Sequence, residues 1–263
     1  MTRRILVLFS FIVFMELQAW CQPEQLVVNL PASFKTGHLS FENPRGSVKV
    51  TGYDGNVILV TGTPRYSEKA EKQANGMHRI ADNDLDISAE VNGSNVMLLC
   101  RTTGKTVDFD IKLPRDFSLK LRSLDNGTVE VINVNGEIEA ENNNGDIKLD
   151  NIAGSAVLSS VSGDITAVFR KVTEGSPMMF TSFEGNICIT LPGDTQAGLR
   201  IKSETGEIMS DFDIKPSKRK SVMKDVDNKQ IWSLEDWVTG TVNGGGPEYI
   251  MRTYSGKVCI KKR

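Results

Sequence analysis

The chain has 263 residues, a formal net charge of −2 and 24% charged residues. This balanced, slightly acidic composition excludes the strongly basic domains that bind nucleic acid through its phosphates. The length allows one sizeable core, since β-rich folds of this size are often undivided.

The first 21 residues have the features of a secretory signal peptide. Arg3 and Arg4 provide a positive start, residues 5–15 form an apolar run, and small residues precede a cleavage site before Gln22. We therefore expect an exported mature chain, residues 22–263, located in the periplasm, on the outer surface or outside the cell.

Two other interpretations of this segment are weaker. A membrane anchor needs about 20 apolar residues, more than the run provides, and no later segment of the chain could span a bilayer. A lipoprotein would be acylated at Cys21, but the bulky Trp20 before it does not fit that signal.

Three cysteines remain in the mature chain: Cys100, Cys188 and Cys259. Small secreted proteins that depend on disulfides use many more, so we expect this fold not to depend on them. One pair can form and leave an odd thiol, and the sequence does not choose that pair.

A nine-residue repeat is the main signal in this sequence. It begins at glycines with a strict spacing, which are Gly127, Gly136, Gly145, Gly154 and Gly163. Each glycine is followed by one residue, an apolar residue, one residue and a second apolar residue. This alternation predicts a short strand with one buried face. Related units start at Gly46, Gly55, Gly185, Gly206 and Gly256.

A second column of small polar residues lies three positions before most of these glycines. Its members are Asn43, Asn133, Asn142, Asn151, Ser160, Ser182, Ser203 and Thr253, with Leu124 and Gly52 as exceptions. Asparagine and serine side chains can hydrogen-bond nearby backbone at a turn, and glycine relieves the steric limits there. The unit is therefore a short turn that leads into a short strand.

Two all-β architectures fit this unit. An antiparallel β-meander or sandwich is the alternative, because Asn-Gly pairs favour tight hairpins. It would point Asn133, Asn142 and Asn151 into the apolar face, at a cost of about 1–3 kcal/mol for each unpartnered amide. We favour a single-domain parallel β-solenoid with about 18–22 residues per rung, because there the polar column lies at a corner and stacks.

The solenoid makes definite geometric predictions. Gly127, Gly145 and Gly163 form one column, continued by Gly185 and Gly206 at spacings of 22 and 21, and Gly136 and Gly154 form a second. The remaining contacts follow from the same register: Val129, Ile147 and Ile165 form an inward row, Ile138 and Ala156 face it from the opposite sheet, and Asn142 and Ser160 share a corner.

Several stretches of the chain resemble a family of exported bacterial proteins. They are residues 109–114 (FDIKLP), the Asn-Gly-Asp-Ile and Ser-Gly-Asp-Ile units, residues 243–246 (NGGG) and residues 255–258 (SGKV). The family is known as the "putative adhesin" domain of unknown function 4097. The resemblance implies a β-solenoid-like fold, a location in the cell envelope and no established activity.

Catalysis and metal binding have little support in the sequence. A calcium β-roll needs Gly-Gly-x-Gly-x-Asp, whereas here Asp146 and Asp164 directly follow the glycine. His38 and His78 share no metal-ligand spacing. No nucleophile motif is present, and solubility explains the many outward carboxylates, which include Glu130, Glu137, Glu139, Glu141 and Asp150. We therefore expect no enzyme activity, no cofactor and no metal.

A charged insertion near residues 213–231 interrupts the repeat. It and the following segment contain a candidate surface for an acidic glycan or a lipid headgroup, made of Lys215, Lys218, Arg219, Lys220, Trp232 and Trp237. In the alternative, the insertion is a solvated loop whose tryptophans cover an open end of the solenoid.

The sequence thus favours a non-catalytic envelope or cell-surface protein that presents a rigid β-solenoid surface to a glycan or an envelope protein. The alternative is a carbohydrate-active enzyme on the same scaffold. A deep groove with two converging carboxylates would favour the enzyme.

Overall fold

The computed structural model describes residues 25–31, 34, 36–65, 85–102, 104–216, 221–226, 229–234 and 236–263. The predicted signal peptide lies outside these residues, as do residues 66–84. The described part is all β, with strands β1 (Gln25–Asn29), β2 (Gly37–Asn43), β3 (Val48–Tyr53), β4 (Val57–Pro64), β5 (Ile87–Asn92), β6 (Asn95–Cys100), β7 (Val107–Pro114), β8 (Phe117–Ser123), β9 (Val129–Ile132), β10 (Ile138–Asn144), β11 (Ile147–Gly154), β12 (Ala156–Ser162), β13 (Ile165–Val172), β14 (Met178–Glu184), β15 (Ile187–Leu191), β16 (Ala197–Ser203), β17 (Ile208–Ser210), β18 (Lys215–Pro216), β19 (Ser221–Val226), β20 (Lys229–Leu234), β21 (Val238–Val242), β22 (Glu248–Ser255) and β23 (Val258–Lys262).

The strands form two large sheets. Sheet A has the order β1-β4-β7-β3-β9-β11-β13-β15-β23-β17, and sheet B has the order β18-β21-β16-β22-β14-β12-β10-β8-β2-β6-β5. Strands β19 and β20 form a separate antiparallel pair. No helix in the described ranges is long and apolar enough to cross a membrane.

The central strands form the predicted solenoid. From β8 to β15 the chain alternates between the sheets, and each strand from β8 to β13 pairs in parallel with the strand two positions later. Ile147 pairs with Val129 and with Ile165, which gives an 18-residue rung. Val131 pairs with Leu149 rather than with Ala140, so the meander is wrong.

The core lies between the two sheets. The inward positions that the repeat predicts are fully buried in one hydrophobic cluster: Val129, Ile138, Ile147, Ala156 and Ile165. In the core of the amino-terminal rungs, Phe41 and Phe109 meet edge to face with ring centroids 5.0 Å apart. Alternating side chains thus give every rung an apolar inner face.

The glycines stack as predicted because a neighbouring carbonyl occupies the space of a side chain. A Cβ atom on Gly163 would lie 2.1 Å from the carbonyl oxygen of Gly145, and one on Gly145 would lie 2.0 Å from that of Gly127. In the second column, a Cβ atom on Gly154 would lie 2.1 Å from the carbonyl oxygen of Gly136. Any side chain at these corners would therefore force the neighbouring backbone to shift.

The predicted order of the last rungs is wrong in one step. Gly185 does stack on Gly163, but Gly206 stacks on Gly256, and Gly256 stacks on Gly185. The carboxy-terminal strands β22 and β23 lie between the rung of β14 and β15 and the rung of β16 and β17. The repeat spacing identifies each rung but does not fix the order in which distant rungs stack.

Antiparallel strands extend both sheets at one end of the parallel array and sheet B at the other. Strands β4 and β1 extend sheet A beyond β7, and β5 extends sheet B beyond β6. At the other end, β21 pairs with β16 and β18 pairs with β21. These strands occupy edges that would otherwise offer unpaired backbone groups to another chain.

Candidate binding surface

One corner of the solenoid is a continuous column of polar side chains. Asn142 donates to the carbonyl oxygen of Gly127 at 2.9 Å, and Ser160 donates to that of Gly145 at 3.3 Å. The predicted shared corner of Asn142 and Ser160 is confirmed by their pairing. The equivalent donors in the other rungs are Asn43, Ser123, Ser182, Ser203 and Thr253.

This column corrects two details of the sequence pattern. Ser123, rather than Leu124, fills the position in its rung, so the apparent exception arises from one extra residue before Gly127. Asn133 and Asn151 belong to the opposite corner, where the Asn151 amide donates to the Asn133 side-chain oxygen at 2.6 Å. The single column in the sequence is therefore two columns in space.

The acidic residues after the glycines have a structural role. An oxygen of Asp146 accepts the backbone N–H of Asp164 at 3.1 Å, and an oxygen of Asp164 accepts that of Asn186 at 2.7 Å. The Asn186 side chain continues the series by accepting the N–H of Lys257. These oxygens satisfy the backbone of the next rung, and the described residues contain no cluster of three or more potential metal ligands.

The electrostatics of Asp146 agree with this role. Partial burial alone would raise the pKa of Asp146, but the Lys148 ammonium 3.0 Å away and the Asp164 N–H outweigh burial and lower the pKa. The carboxylate is thus held in its charged form, which suits a hydrogen-bond acceptor and not a general acid.

Other outward carboxylates also have basic partners. Glu130 pairs with Lys49 at 3.0 Å. Further pairs join Glu139 to Lys120 at 2.9 Å and Glu141 to Arg122 at 3.1 Å. They link neighbouring rungs along the sheet faces.

A shallow cleft of about 490 Å³ lies beside the glycine corner. Its lining is Ser47, Arg65, Thr106, Asn126, Gly127, Thr128, Asn144 and Gly145, which includes neither a carboxylate nor a histidine. Arg65 is engaged by Asp108 at 2.6 Å.

The outer face of sheet B carries an apolar stripe that the ion-paired parts of the sheet lack. One row across β12, β14 and β22 contains Val157, Met179 and Ile250 in register. A second row, four residues further along the same strands, contains Val161, Phe183 and Tyr254, each about half exposed. The Phe183 and Tyr254 rings stack with centroids 5.1 Å apart and planes 9° apart.

A polar row separates the two apolar rows. It contains Ser159, Thr181 and Arg252 in register, and the Thr181 hydroxyl donates to Ser159 at 3.3 Å. Arg252 is exposed on this face. Apolar side chains thus lie on both sides of hydrogen-bonding groups over three adjacent rungs, and we call these nine residues the sheet B stripe.

The next strand, β16, adds a cationic border to the stripe. The Arg200 guanidinium lies 4.5 Å from the ring centroid of Trp237, a cation–π distance. Lys202 contacts Glu204 at 2.7 Å and Asp236 at 3.5 Å, and the hydrogen bond that its ammonium donates to Glu204 raises the pKa of Lys202. The Lys202 ammonium is thus held in its charged form.

The predicted ligand surface is only partly described. Lys218, Arg219 and Lys220 lie outside the described residues, and the side chains of Lys215 and Trp232 are not described, although their backbones lie in β18 and β20. Trp237 is half-buried against Arg200, next to the sheet B stripe. The stripe was missed in the sequence, although its signal is present: the outward positions of these repeat units are apolar.

One disulfide joins Cys188 to Cys259, and Cys100 is free. The bonded pair lies directly across β15 and β23, on the outer face of sheet A. Both residues are outward positions of repeat units that are far apart in the sequence, which explains why spacing alone did not identify the pair.

Comparison with known proteins agrees with the resemblance in the sequence. Residues 118–231 match the family Toastrack DUF4097, which confirms the expected family over this region. A "putative cell adhesion protein" from Clostridium sporogenes is 13% identical, with a TM-score of 0.43 over 92% of this chain and 100% of that one. A "putative adhesin" from Bacteroides fragilis is 11% identical, with a TM-score of 0.37 over 91% of this chain and 96% of that one. No curated protein matches.

Proposed function

We propose that this chain, which carries a Toastrack DUF4097 domain at residues 118–231, is a non-catalytic exported envelope protein that binds an acidic glycan through the sheet B stripe. The observation that carries the proposal is the outward apolar stripe over three consecutive rungs. Outward residues of a soluble sheet are normally polar, and exposed apolar patches commonly mark interaction sites.

The order of rows in the stripe suits a sugar chain. Pyranose rings present apolar C–H faces and hydroxyl edges, so a glycan needs apolar contacts next to hydrogen-bonding groups. Met179 and Phe183 supply the apolar contacts, and Ser159 and Thr181 supply hydroxyl groups between them. Adjacent strands repeat this arrangement about every 4.8 Å, which gives a chain ligand similar contacts at successive rungs.

The charge of the stripe favours an acidic sugar. Arg252 lies in the polar row without a carboxylate partner among the described residues, unlike Lys120 and Arg122 on the same sheet. A guanidinium can bind a uronate or sialate carboxylate through two parallel hydrogen bonds.

Export and the absence of catalysis are parts of the same proposal. The amino-terminal segment supports export. The ion-paired carboxylates and the lining of the 490 Å³ cleft support binding without turnover.

A glycan array with the mature chain, residues 22–263, tests the proposal. We expect binding to glycans that carry carboxylates. Phe183→Ala and Arg252→Ala should each weaken binding at least about tenfold, consistent with the loss of one good contact. Matched controls are Met97→Ala, an exposed apolar residue at the far end of sheet B, and Arg101→Ala, an exposed arginine elsewhere.

Three results would contradict the proposal. Binding that these two substitutions leave unchanged in folded protein would place the ligand elsewhere. An array with no acidic glycan bound would exclude the ligand class. Release of shorter sugars from a bound glycan would show the carbohydrate-active enzyme instead.

A further inference from the structure

The carboxy-terminal rung, residues 248–262, fills a slot between two rungs that precede it in the sequence. Strands β14 and β16 both pair with β22, and β15 and β17 both pair with β23. Since neighbouring strands are about 4.8 Å apart, the two flanking rungs are separated by about 10 Å and share no strand pairing without it.

The carboxy-terminal rung contributes side chains to the core and to the polar corner. Tyr249, Met251 and Val258 are fully buried in the core. Thr253 donates to the carbonyl oxygen of Gly185 at 2.9 Å, which continues the polar corner. An empty slot would expose four strand edges and the apolar side chains behind them, an arrangement that promotes pairing with another chain.

Contacts on the outer faces of both sheets also fix the carboxy-terminal rung to its neighbour. Tyr254 stacks on Phe183 outside sheet B, and Cys259 is bonded to Cys188 outside sheet A. The covalent contact is thus made between the carboxy-terminal rung and a rung that is 71 residues earlier in the sequence.

The connection into this rung has the features of a hinge. Strand β21 lies on one side of β16 and β22 lies on the other, so residues 243–247 cross over the end of β16. Asn243, Gly244 and Gly245 have φ angles of 48°, 92° and 89°. Glycine adopts this region without strain and also extends freely, so the segment permits both a tight crossing and an open link.

From these contacts we infer that the slot accepts the carboxy-terminal rung of a second copy of this chain, and that two copies exchange residues 248–262 about the hinge at 243–247. The incoming rung has the same sequence as the one it replaces, so it makes the same core, corner and outer contacts. Exchange of identical elements is a low-cost route to a dimer.

The disulfide makes the exchange detectable. Formation of Cys188–Cys259 between two copies removes two thiol protons and two electrons. Oxidised glutathione accepts them and becomes two molecules of reduced glutathione. The exchanged dimer then carries its bond between chains.

Two full-length chains that cannot form the pair internally test the exchange. One carries Cys188→Ser, the other carries Cys259→Ser, both carry Cys100→Ser, and tags of different size distinguish them. After co-expression and oxidation with glutathione, we expect a disulfide-linked heterodimer in which mass spectrometry finds Cys188 of one chain bonded to Cys259 of the other.

The control replaces the donor cysteine by a neighbour on the same strand. In a chain with Cys100, Cys188 and Cys259 all changed to serine, Lys261→Cys places a thiol two residues from position 259 and opposite Thr190. Random collisions between chains would link the introduced thiol at position 261 to Cys188 as often as they link Cys259 to Cys188. Exchange instead favours the Cys188–Cys259 bond by at least about tenfold. Equal yields, or no bond between chains at Cys188 and Cys259, would overturn the inference.

A second measurement covers the case in which the serine variants do not fold. Differently tagged wild-type chains are reduced, unfolded, mixed and refolded with oxidised glutathione at increasing protein concentration. Exchange predicts that the share of mixed dimers linked through Cys188 and Cys259 rises with concentration and that deletion of Gly245 raises it further, because a shortened hinge strains the closed monomer. Monomers alone at every concentration would also overturn the inference.

Discussion

The side-chain amide of Asn142 lies 2.9 Å from the carbonyl oxygen of Gly127, one rung away, and 3.1 Å from the carbonyl oxygen of Asp146 in its own rung. Its own oxygen accepts the N–H of Asn144 at 3.3 Å. One buried asparagine therefore satisfies backbone groups of two rungs. The repeat needs a polar residue before each glycine for this reason: the strands end at the corner, and their ladder bonds end with them.

Replacement of this residue by alanine should destabilise the fold. Asn142→Ala removes the side-chain donor from the buried Gly127 carbonyl and one of the two donors from the Asp146 carbonyl, which costs about 1–3 kcal/mol. At roughly 2–4 °C per kcal/mol for a chain of this size, the melting temperature should fall by several degrees. Calorimetry of the mature chain measures the change.

The adjacent asparagine is a matched control for that experiment. Asn143 is exposed on the outer face and makes no side-chain hydrogen bond with another described residue, so Asn143→Ala should change stability by less than about 0.5 kcal/mol. Asn142→Ser should recover part of the loss, since Ser160 performs the same role in the next rung. Equal effects of the two alanine variants would contradict the corner interpretation.

The glycine column makes a second prediction. Gly163→Ala places a methyl group 2.1 Å from the backbone oxygen of Gly145, which cannot move without disturbing the ladder. We expect a loss of at least about 2 kcal/mol, within the range of overpacked cores. At Gly198, in β16, the nearest atom to an added Cβ is 3.6 Å away, so Gly198→Ala should be neutral or stabilising. Denaturant unfolding of both variants compares them, and equal stability would contradict the prediction.

The sequence predicted the local features of this fold better than its long-range features. The alternation around Ile138 and Ile147 is a consequence of burial on one face, so the strands, the rung length and the stacked glycines could all be derived from it. The position of the carboxy-terminal rung depends on which earlier strands β22 and β23 pair with. That choice is made between segments 71 residues apart and leaves no periodic signal.

The candidate binding surface was missed for a different reason. Basic and aromatic residues cluster near Trp237 in the sequence, and this cluster was predicted to be the ligand surface. Val161, Met179 and Phe183 are apolar, so in the sequence alone they look like core residues. Only the register of the rungs shows that they are outward positions. The hydrogen-bonding role of Asp164 was equally hidden, because its partner Asn186 belongs to the next rung.

Metal removal is a third test. The oxygens of Asp146 and Asp164 already accept backbone N–H groups, so a calcium ion would have to displace hydrogen bonds that hold successive rungs together. We expect the melting temperature to stay within about 1 °C on addition of EDTA or of millimolar calcium, since only a ligand that binds the folded state raises it. A loss of many degrees with EDTA that calcium restores would show a structural metal site.

The ion pair of Arg65 and Asp108 predicts how stability depends on pH. Burial alone would raise the pKa of Asp108, but hydrogen bonds from the Arg65 guanidinium and the Ser47 N–H, with the positive charge of Arg65, lower it below its ordinary value. Because the folded pKa is below that of the unfolded chain, about 3.9, the unfolded state binds more protons on acidification. The contribution of Asp108 is therefore fully present above about pH 4 and is lost as the pH falls through the folded pKa.

Asp108→Asn should accordingly destabilise the protein by a constant amount between about pH 5 and pH 7. Below about pH 4 the wild type loses its advantage, and the two unfolding free energies should converge. Asp110→Asn on the same strand is the control, because Asp110 is exposed and has no ion pair with another described residue. Denaturant titrations from pH 3 to pH 7 measure the difference. A gap between wild type and Asp108→Asn that stays constant down to pH 3, or one that Asp110→Asn reproduces, would show that the Arg65 contact does not stabilise the charged form.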